Sequence, residues 1–294
     1  MAVSGEPAVL SIAIAGDLHD QWDAHDHRLL LDLAPDAVLV VGDLSDGTPR
    51  TPTLLTQLPL PMACVLGNHD TGRDCSGRTF QRQIDLLGER HCGWSLRQLT
   101  PPGLAVVGAR PGTAGGGFTL SRACLAALGP VTLQDSADRT TQAALAADPA
   151  MPLVLLSHSG PTGLGSDPGD PCGCDWKHPA CDWGDQDLAL AIRQIQCRRP
   201  LPLVVFGHMH HQLMRGQGER RSFQRDRAGT AYLNAACVPR HIHDEAGVAL
   251  RHFSWVEFVG LELQLAAHRW YDLSGRLRYE ERLYTRAPTA LVLC

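Results

Sequence analysis

The chain has 294 residues, enough to bury a large core in one α/β domain, and its 44% hydrophobic and 19% charged residues exclude a disordered polyelectrolyte. A net charge of -5 argues against a protein that tracks nucleic acid by neutralising phosphates, so no nucleic-acid partner is expected. No apolar run approaches the ~20 residues of a spanning helix, and no basic region precedes Val9–Ala15, so neither a membrane anchor nor a secretory signal is read and a cytoplasmic protein is expected.

In chain order, Val9–Ala15 reads as a buried strand, followed by a helix near Asp23–Leu33 whose Leu29, Leu30 and Leu33 share one face. Ala37–Val41 is a second strand, Pro52–Gln57 a short helix and Met62–Leu66 a third strand. This βαβαβ rhythm favours a parallel sheet with right-handed crossovers. Arg78–Leu87 reads as a helix and Leu104–Val107 as a strand that ends at the Pro-Gly-rich stretch Pro111–Gly117. Leu120–Leu128 and Gln134–Ala147 read as helices separated by Gly129-Pro130. Strand Leu153–Leu156 leads into the irregular, Cys-rich segment Gly160–Gly184, then helix Asp185–Cys197 and strand Leu203–Phe206. Beyond it Ala231–Asn234 and Phe253–Phe258 look extended, Leu261–Ala267 alternates weakly, and Tyr271–Tyr284 reads as a hairpin turning at Asp272–Gly275. The part from about residue 250 is thus β-rich, within one domain spanning 1–294.

Five polar clusters stand behind five of these strands: Gly16-Asp17-Leu18-His19, Gly42-Asp43, Gly67-Asn68-His69-Asp70, Ser157-His158 and Gly207-His208-Met209-His210. The carboxyl ends of strands are where open α/β sheets bind ligands, so the clusters converge on one site. Asp, Asn and His arriving together from five strand ends is what a multi-metal hydrolytic centre needs.

This ordered set resembles the calcineurin-like metallophosphoesterase superfamily. The likeness runs from Gly16 to His210 and fills every core ligand position. It implies a four-layer α/β/β/α sandwich, two mixed β-sheets flanked by helices. It implies Asp17, His19 and His210 as ligands of one metal, Asn68, His158 and His208 as ligands of a second, and Asp43 as the bridge. Imidazole and carboxylate suit two divalent transition ions, Mn, Fe or Zn, without selecting among them. The resemblance also implies a small phosphate mono- or diester as substrate, attacked by a dinuclear-metal-activated hydroxide. His69 would give a proton to the leaving alkoxide, with Asp70 as its orienting partner. Relatives often place an Asn near the site where Asn234 ends its strand. Protein Ser/Thr phosphatases of the superfamily carry an Arg soon after the second Asp block and a Glu closing the Gly-Asn-His block. Here Gly42-Asp43-Leu44-Ser45-Asp46-Gly47 lacks the Arg and the third block ends in Asp70, which favours the small-substrate or phosphodiesterase-like branch. The Cys-rich loop after Ser157-His158-Ser159-Gly160 is similar to that of uncharacterised metallophosphoesterases of photosynthetic bacteria and plastids.

Other features are weighed against plainer readings. Arg73 and Arg78 are candidates to grip a substrate phosphate, or solvated loop residues. Cys172, Cys174, His178 and Cys181 offer four zinc ligands in a spacing that matches no common zinc site; a loop disulfide or free thiols is the plainer reading. The ten cysteines are otherwise scattered and frame no disulfide scaffold. Trp176 and Trp183 either anchor that loop or stack on a substrate base. Asp23-Ala24-His25-Asp26-His27 reads as helix initiation rather than as a metal site. His241-x-His243-Asp244 reads as a solvated loop. A catalytically silent scaffold of the same fold, and redox or zinc sensing through the Cys172–Cys181 loop, are the rival functions. Oligomeric state is left open.

Overall fold

Four- to seven-residue runs of Val, Leu, Ile and Ala are too short to be stable alone, and the chain buries them by stacking two sheets face to face. A computed structural model describes residues 8–215 and 218–287. One sheet contains β1 (Val9–Ala15), β2 (Ala37–Val40) and β3 (Met62–Cys64), which run parallel, so the expected βαβαβ unit is present. The helices between and after these strands are α1 (Ala24–Leu33), α2 (Arg50–Thr56) and α3 (Arg78–Leu87). Then come β4 (Leu96–Leu99), β5 (Leu104–Gly108), α4 (Arg122–Leu128), α5 (Leu133–Leu145) and β6 (Leu153–Leu156). A two-residue-per-arm hairpin, β7 (Gly173–Cys174) and β8 (Cys181–Asp182), precedes α6 (Gln186–Gln196) and β9 (Leu203–Phe206). The remaining strands are β10 (Phe223–Arg225), β11 (Ala231–Asn234), β12 (His241–His243), β13 (Ala249–Val259), β14 (Glu262–Asp272) and β15 (Leu277–Thr285).

The first sheet is ordered β15-β14-β13-β1-β2-β3, with β12 added alongside β13; the second is ordered β10-β11-β9-β6-β5-β4. Both are mixed. In the first, β13 pairs antiparallel with β1, and in the second β4 and β10 are antiparallel edges on a parallel core. Alternate residues of each strand divide between the two faces, which is why continuous apolar runs were needed. Ile12, Leu39, Val106, Leu156 and Val205 fill the space between the sheets. Ala13, Val38 and Val40 face outward onto Leu29, Leu30, Leu55 and Phe80 of α1–α3. Val107, Leu155 and Val204 face outward onto Ala144, Leu188 and Ile192 of α5 and α6. The result is the expected four-layer α/β/β/α sandwich.

Three of the four sheet edges, β3, β4 and β10, are only three or four residues long. The fourth, β15, has nine residues and carries Arg278, Glu280, Glu281 and Arg282. The turn at Asp272–Gly275 joins β14 to β15 as expected, with Gly275 N donating to Asp272 O at 3.0 Å. One expectation is corrected here. His241–His243 is no solvated loop: it is strand β12, paired with Ala249–Arg251, and the His241 ring reaches Asp26 at 3.1 Å.

Candidate metal centre

At each strand end the backbone turns sharply enough to aim a polar side chain into one cleft between the sheets. Asp17, His19, Asp43 and His208 take φ angles of 46°, 43°, 48° and 65°, left-handed values that cost roughly 1–3 kcal/mol each for a side-chain-bearing residue. Local hydrogen bonds hold these turns. His19 N donates to Asp43 O at 2.8 Å, Gly207 N to His158 O at 2.8 Å, and His208 N to both carboxylate oxygens of Asp17 at 3.0 Å. The clusters can approach because their glycines lack a Cβ, most tightly at two positions. One at Gly67 would run into Asp43 Oδ1 and one at Gly207 into Asp17 Oδ2.

The expected ligands gather in two groups. Asp17, His19 and His210 bring their ligand atoms within 4.8 Å of one another, and so do Asp43, His158 and His208. Asn68 joins the second group, its Oδ1 standing 3.1 Å from His158 Nε2. Asp43 lies between the groups. Its Oδ1 accepts the His69 N–H at 2.9 Å, while Oδ2 faces His158 Nε2 at 3.4 Å and His19 Nε2 at 4.0 Å. Each group draws on both sheets: Asp17, His19, Asp43 and Asn68 follow β1–β3, whereas His158, His208 and His210 follow β6 and β9.

The donor chemistry fits divalent cations. His158 donates from Nδ1 to Val41 O at 2.8 Å, which fixes the ring and turns Nε2 into the cleft. Burial opposes charge on His158, yet the Asp43 carboxylate overrides it and raises the imidazole to about 10. A cation would take the place of that proton, facing the same carboxylate. His208 is pushed the other way, to about 4, by burial and by His158 beside it, so its ring is neutral and free to donate a lone pair. Burial would raise Asp17, but its hydrogen bond to His210 and the charge of His158 hold it below the ordinary carboxylate range. His19 Nε2 and His210 Nε2 point at each other across 3.4 Å, an arrangement that a shared cation satisfies better than one proton.

The structure separates the two residues expected to act in proton transfer. His69 is exposed and projects between two cavities. Asp70 does not orient it. Its carboxylate is fully buried and accepts the N–H groups of Leu44, Ser45 and Gly67 at 2.8, 3.1 and 2.8 Å. Burial and the neighbouring Asp43 push Asp70 up to about 8, against the pull of those donors. It therefore ties the second strand end to the third, while the His69 ring pairs instead with Asp46, Nδ1 to Oδ1 at 2.8 Å. Asp46 was missed because the sequence places it in a loop with no spacing rule to His69.

Asn234 does support the site as expected. Its Nδ2 donates to Met209 O at 2.6 Å and its Oδ1 accepts Ala236 N at 3.0 Å, which pins the Gly207–His210 turn. Asp23 caps α1 in a capping box with Asp26, so that acidic cluster initiates a helix. Asp23, Asp26 and His241 do converge, but Arg240 lies 2.9 Å from Asp26 and supplies the positive charge there. Arg73 lines a cavity of about 680 Å³ with Asn68 and His69, whereas Arg78 turns to Ser76 at 3.1 Å. The zinc-site candidates do not converge: among the described residues no ligand group includes Cys172, Cys174, His178 or Cys181. Cys172 is buried, and Cys174 and Cys181 sit opposite each other across the β7–β8 hairpin as free thiols. Trp183 anchors the loop through Nε1 to Ala114 O at 2.9 Å.

Residues 10–212 match the family described as calcineurin-like phosphoesterase. No curated protein matches the chain at a significant level. Among solved structures, the chain is similar to a dimetal phosphatase from Danio rerio at 10% identity and a TM-score of 0.53, over 96% of this chain and 100% of that one. It is similar to a protein of Thermus thermophilus at 14% identity and a TM-score of 0.52, over 94% of this chain and 100% of that one. At these identities the likeness is one of fold.

Proposed function

The chain belongs to the calcineurin-like phosphoesterase family, and from that premise we propose that it hydrolyses a small phosphate mono- or diester at a centre of two divalent ions, Mn, Fe or Zn. The observation that carries this reading is Asp43. One of its oxygens is occupied by the His69 N–H, and the other faces both ligand groups, the geometry of a bridging carboxylate. Asp17, His19 and His210 would hold one ion, and Asn68, His158 and His208 the other. When bound, such a pair supplies Lewis-acid polarisation of the phosphoryl group and activation of water.

The chain's own residues do the rest. Asp43 and His158 fix the spacing of the two groups, because His158 is braced against Val41 O on the opposite strand end. Asn68 contributes a neutral oxygen, which limits negative charge where an anionic ester must enter. His69, with Nδ1 engaged by Asp46, keeps Nε2 to deliver a proton to the leaving oxygen. Asp70 acts through the backbone that carries Asp43 and Asn68. The reading takes 1–294 as one catalytic domain in the cytoplasm. The direct pairing of β13 with β1 supports the first, and nine free cysteines among the described residues support the second. No described helix is long and apolar enough to cross a membrane.

Asp43→Ala and His208→Ala should each reduce metal-dependent hydrolysis of a generic aryl phosphate ester to background and lower the bound-metal stoichiometry. Activity and metal analysis of the same samples check this. Unchanged turnover in either variant refutes the assignment, and a metal-replete wild type inert to every ester tried returns the chain to a scaffold.

A further inference from the structure

On one side of His69 the cleft opens into a cavity of about 560 Å³ that the metal-ligand residues only floor. Its two walls come from segments that carry no ligands. One is the tip of the β7–β8 hairpin, which brings Trp176; the other is the chain beyond His210, which brings Met214 and Arg215. The walls are tied together. Asp175 accepts Arg215 N at 3.0 Å and Arg220 Nη2 at 3.4 Å. Arg220 itself is buried and donates to Pro168 O, Asp170 O and Gly173 O behind the hairpin, and to His210 O at 3.2 Å. With Asp175 and Arg220 engaged in this tie, Trp176 and Met214 supply the apolar surface of the walls, beside the side chains of Gln212 and Arg215.

Trp176 is set in place rather than loosely hung. Its ring meets Trp183 edge to face, with centroids 5.3 Å apart, and Trp183 is fixed by Ala114 O and covered by Lys177 Nζ at 4.0 Å. Met214, by contrast, is 74% exposed and lines the facing wall of the same cavity. A rigid indole beside a flexible thioether is suited to a flat ring, since aromatic faces stack and sulfur packs well against ring edges.

We propose that this cavity seats an aromatic ring on the alcohol portion of the substrate, and that Trp176 and Met214 select it. The seat opens directly onto His69, so a ring held there leaves its ester oxygen at the proton donor. The proposal rests on the phosphoesterase reading and narrows it to esters whose alcohol carries an aryl group or a nucleobase.

The test uses the metal-loaded protein and matched esters of primary alcohols. Benzyl phosphate is paired with cyclohexylmethyl phosphate, and a nucleoside 5′-monophosphate with ribose 5-phosphate. Within each pair the leaving groups are of similar kind and the flat ring is the main difference. We expect kcat/KM to favour the ring-bearing member about tenfold in one pair, which identifies the source of the ring, in line with the strength of ring stacking on an aromatic side chain. Trp176→Leu should bring that preference near unity, mainly through KM, and Met214→Ala should reduce it in part. In parallel, benzyl alcohol and adenosine, which carry no phosphate, should quench tryptophan fluorescence in the wild type and less so in Trp176→Leu. Equal kcat/KM within both pairs, or a Trp176→Leu loss equal for both members of each pair, overturns the proposal. Should no ester be hydrolysed, the phosphoesterase reading fails and the binding measurement alone decides the seat: saturable quenching dependent on Trp176 sustains it, and its absence overturns it.

Discussion

His69 and Asp70 are neighbours in sequence and separate in their surroundings. The imidazole stands in the cleft with Asp46, whereas the carboxylate is sealed under the backbone of three strand-end residues. His69→Gln should lower kcat about 10²-fold or more, the range for a lost general acid, with the metal content unchanged. Asp46→Asn should lower kcat less, about tenfold, at constant KM, and Asp46→Glu should recover part of the loss; steady-state kinetics with metal analysis separate these outcomes. A fall in bound metal for Asp46→Asn would show that it shapes the ligand cage rather than the proton donor. The grouping of the candidate ligands was legible residue by residue because each follows a strand in a fixed local pattern. Asp46 was not, because its partnership with His69 depends on how two loops from different strands come side by side. Asp70 was misassigned for the same reason: adjacency in sequence says nothing about which way a side chain turns in a tight helical turn.

Among the elements, the short, largely apolar parallel strands and the helices after them were readable from apolar runs and caps. β4, β10 and β12 were not, since three or four residues of mixed polarity become strands only when a neighbour offers hydrogen bonds. β12 shows what such an element is for. It brings Arg240 and His241 against Asp26 in the first turn of α1, 2.9 and 3.1 Å away, and so docks the helix on the first sheet. Burial alone would raise Asp26, but Arg240 and His241 hold its carboxyl far below the ordinary range. The folded-state pKa is thus lower than the unfolded one, so this stabilisation is complete above about pH 4 and is lost as pH falls further. Asp26→Asn should cost about 3 kcal/mol at pH 7, because Arg240 remains buried without its counter-charge. The difference from wild type should shrink below about pH 4. Urea unfolding of both proteins at pH 7 and pH 3 measures it, and a pH-independent gap would assign the cost to the lost helix cap instead.

At the scale of the whole molecule, the centre is a seam. Four of the proposed ligands follow strands of one sheet and three follow strands of the other, so ions bound there would add a cross-link between two layers already joined by apolar packing and by hydrogen bonds such as His208 N to Asp17. Metal should therefore stabilise the fold by mass action, about 2.7 kcal/mol at a hundredfold excess over Kd, and chelation should lower Tm measurably. His158→Ala should abolish that metal-dependent shift, as read by differential scanning fluorimetry with and without chelator. The sandwich itself was implied by the ligand order, but which strands would form the long antiparallel wing was not, because pairing between β1 and β13 spans most of the chain. That wing ends in β15, the one long edge either sheet leaves uncovered among the described residues. Its charges are interlocked, with Glu280 meeting Arg269 at 2.8 Å and Arg282 at 2.5 Å. A strand arriving from another copy would have to lie against this ladder of charge, and the short edges elsewhere offer it too few backbone groups to hold. The one long open edge is in this way charged against growth of the sheet by strand addition.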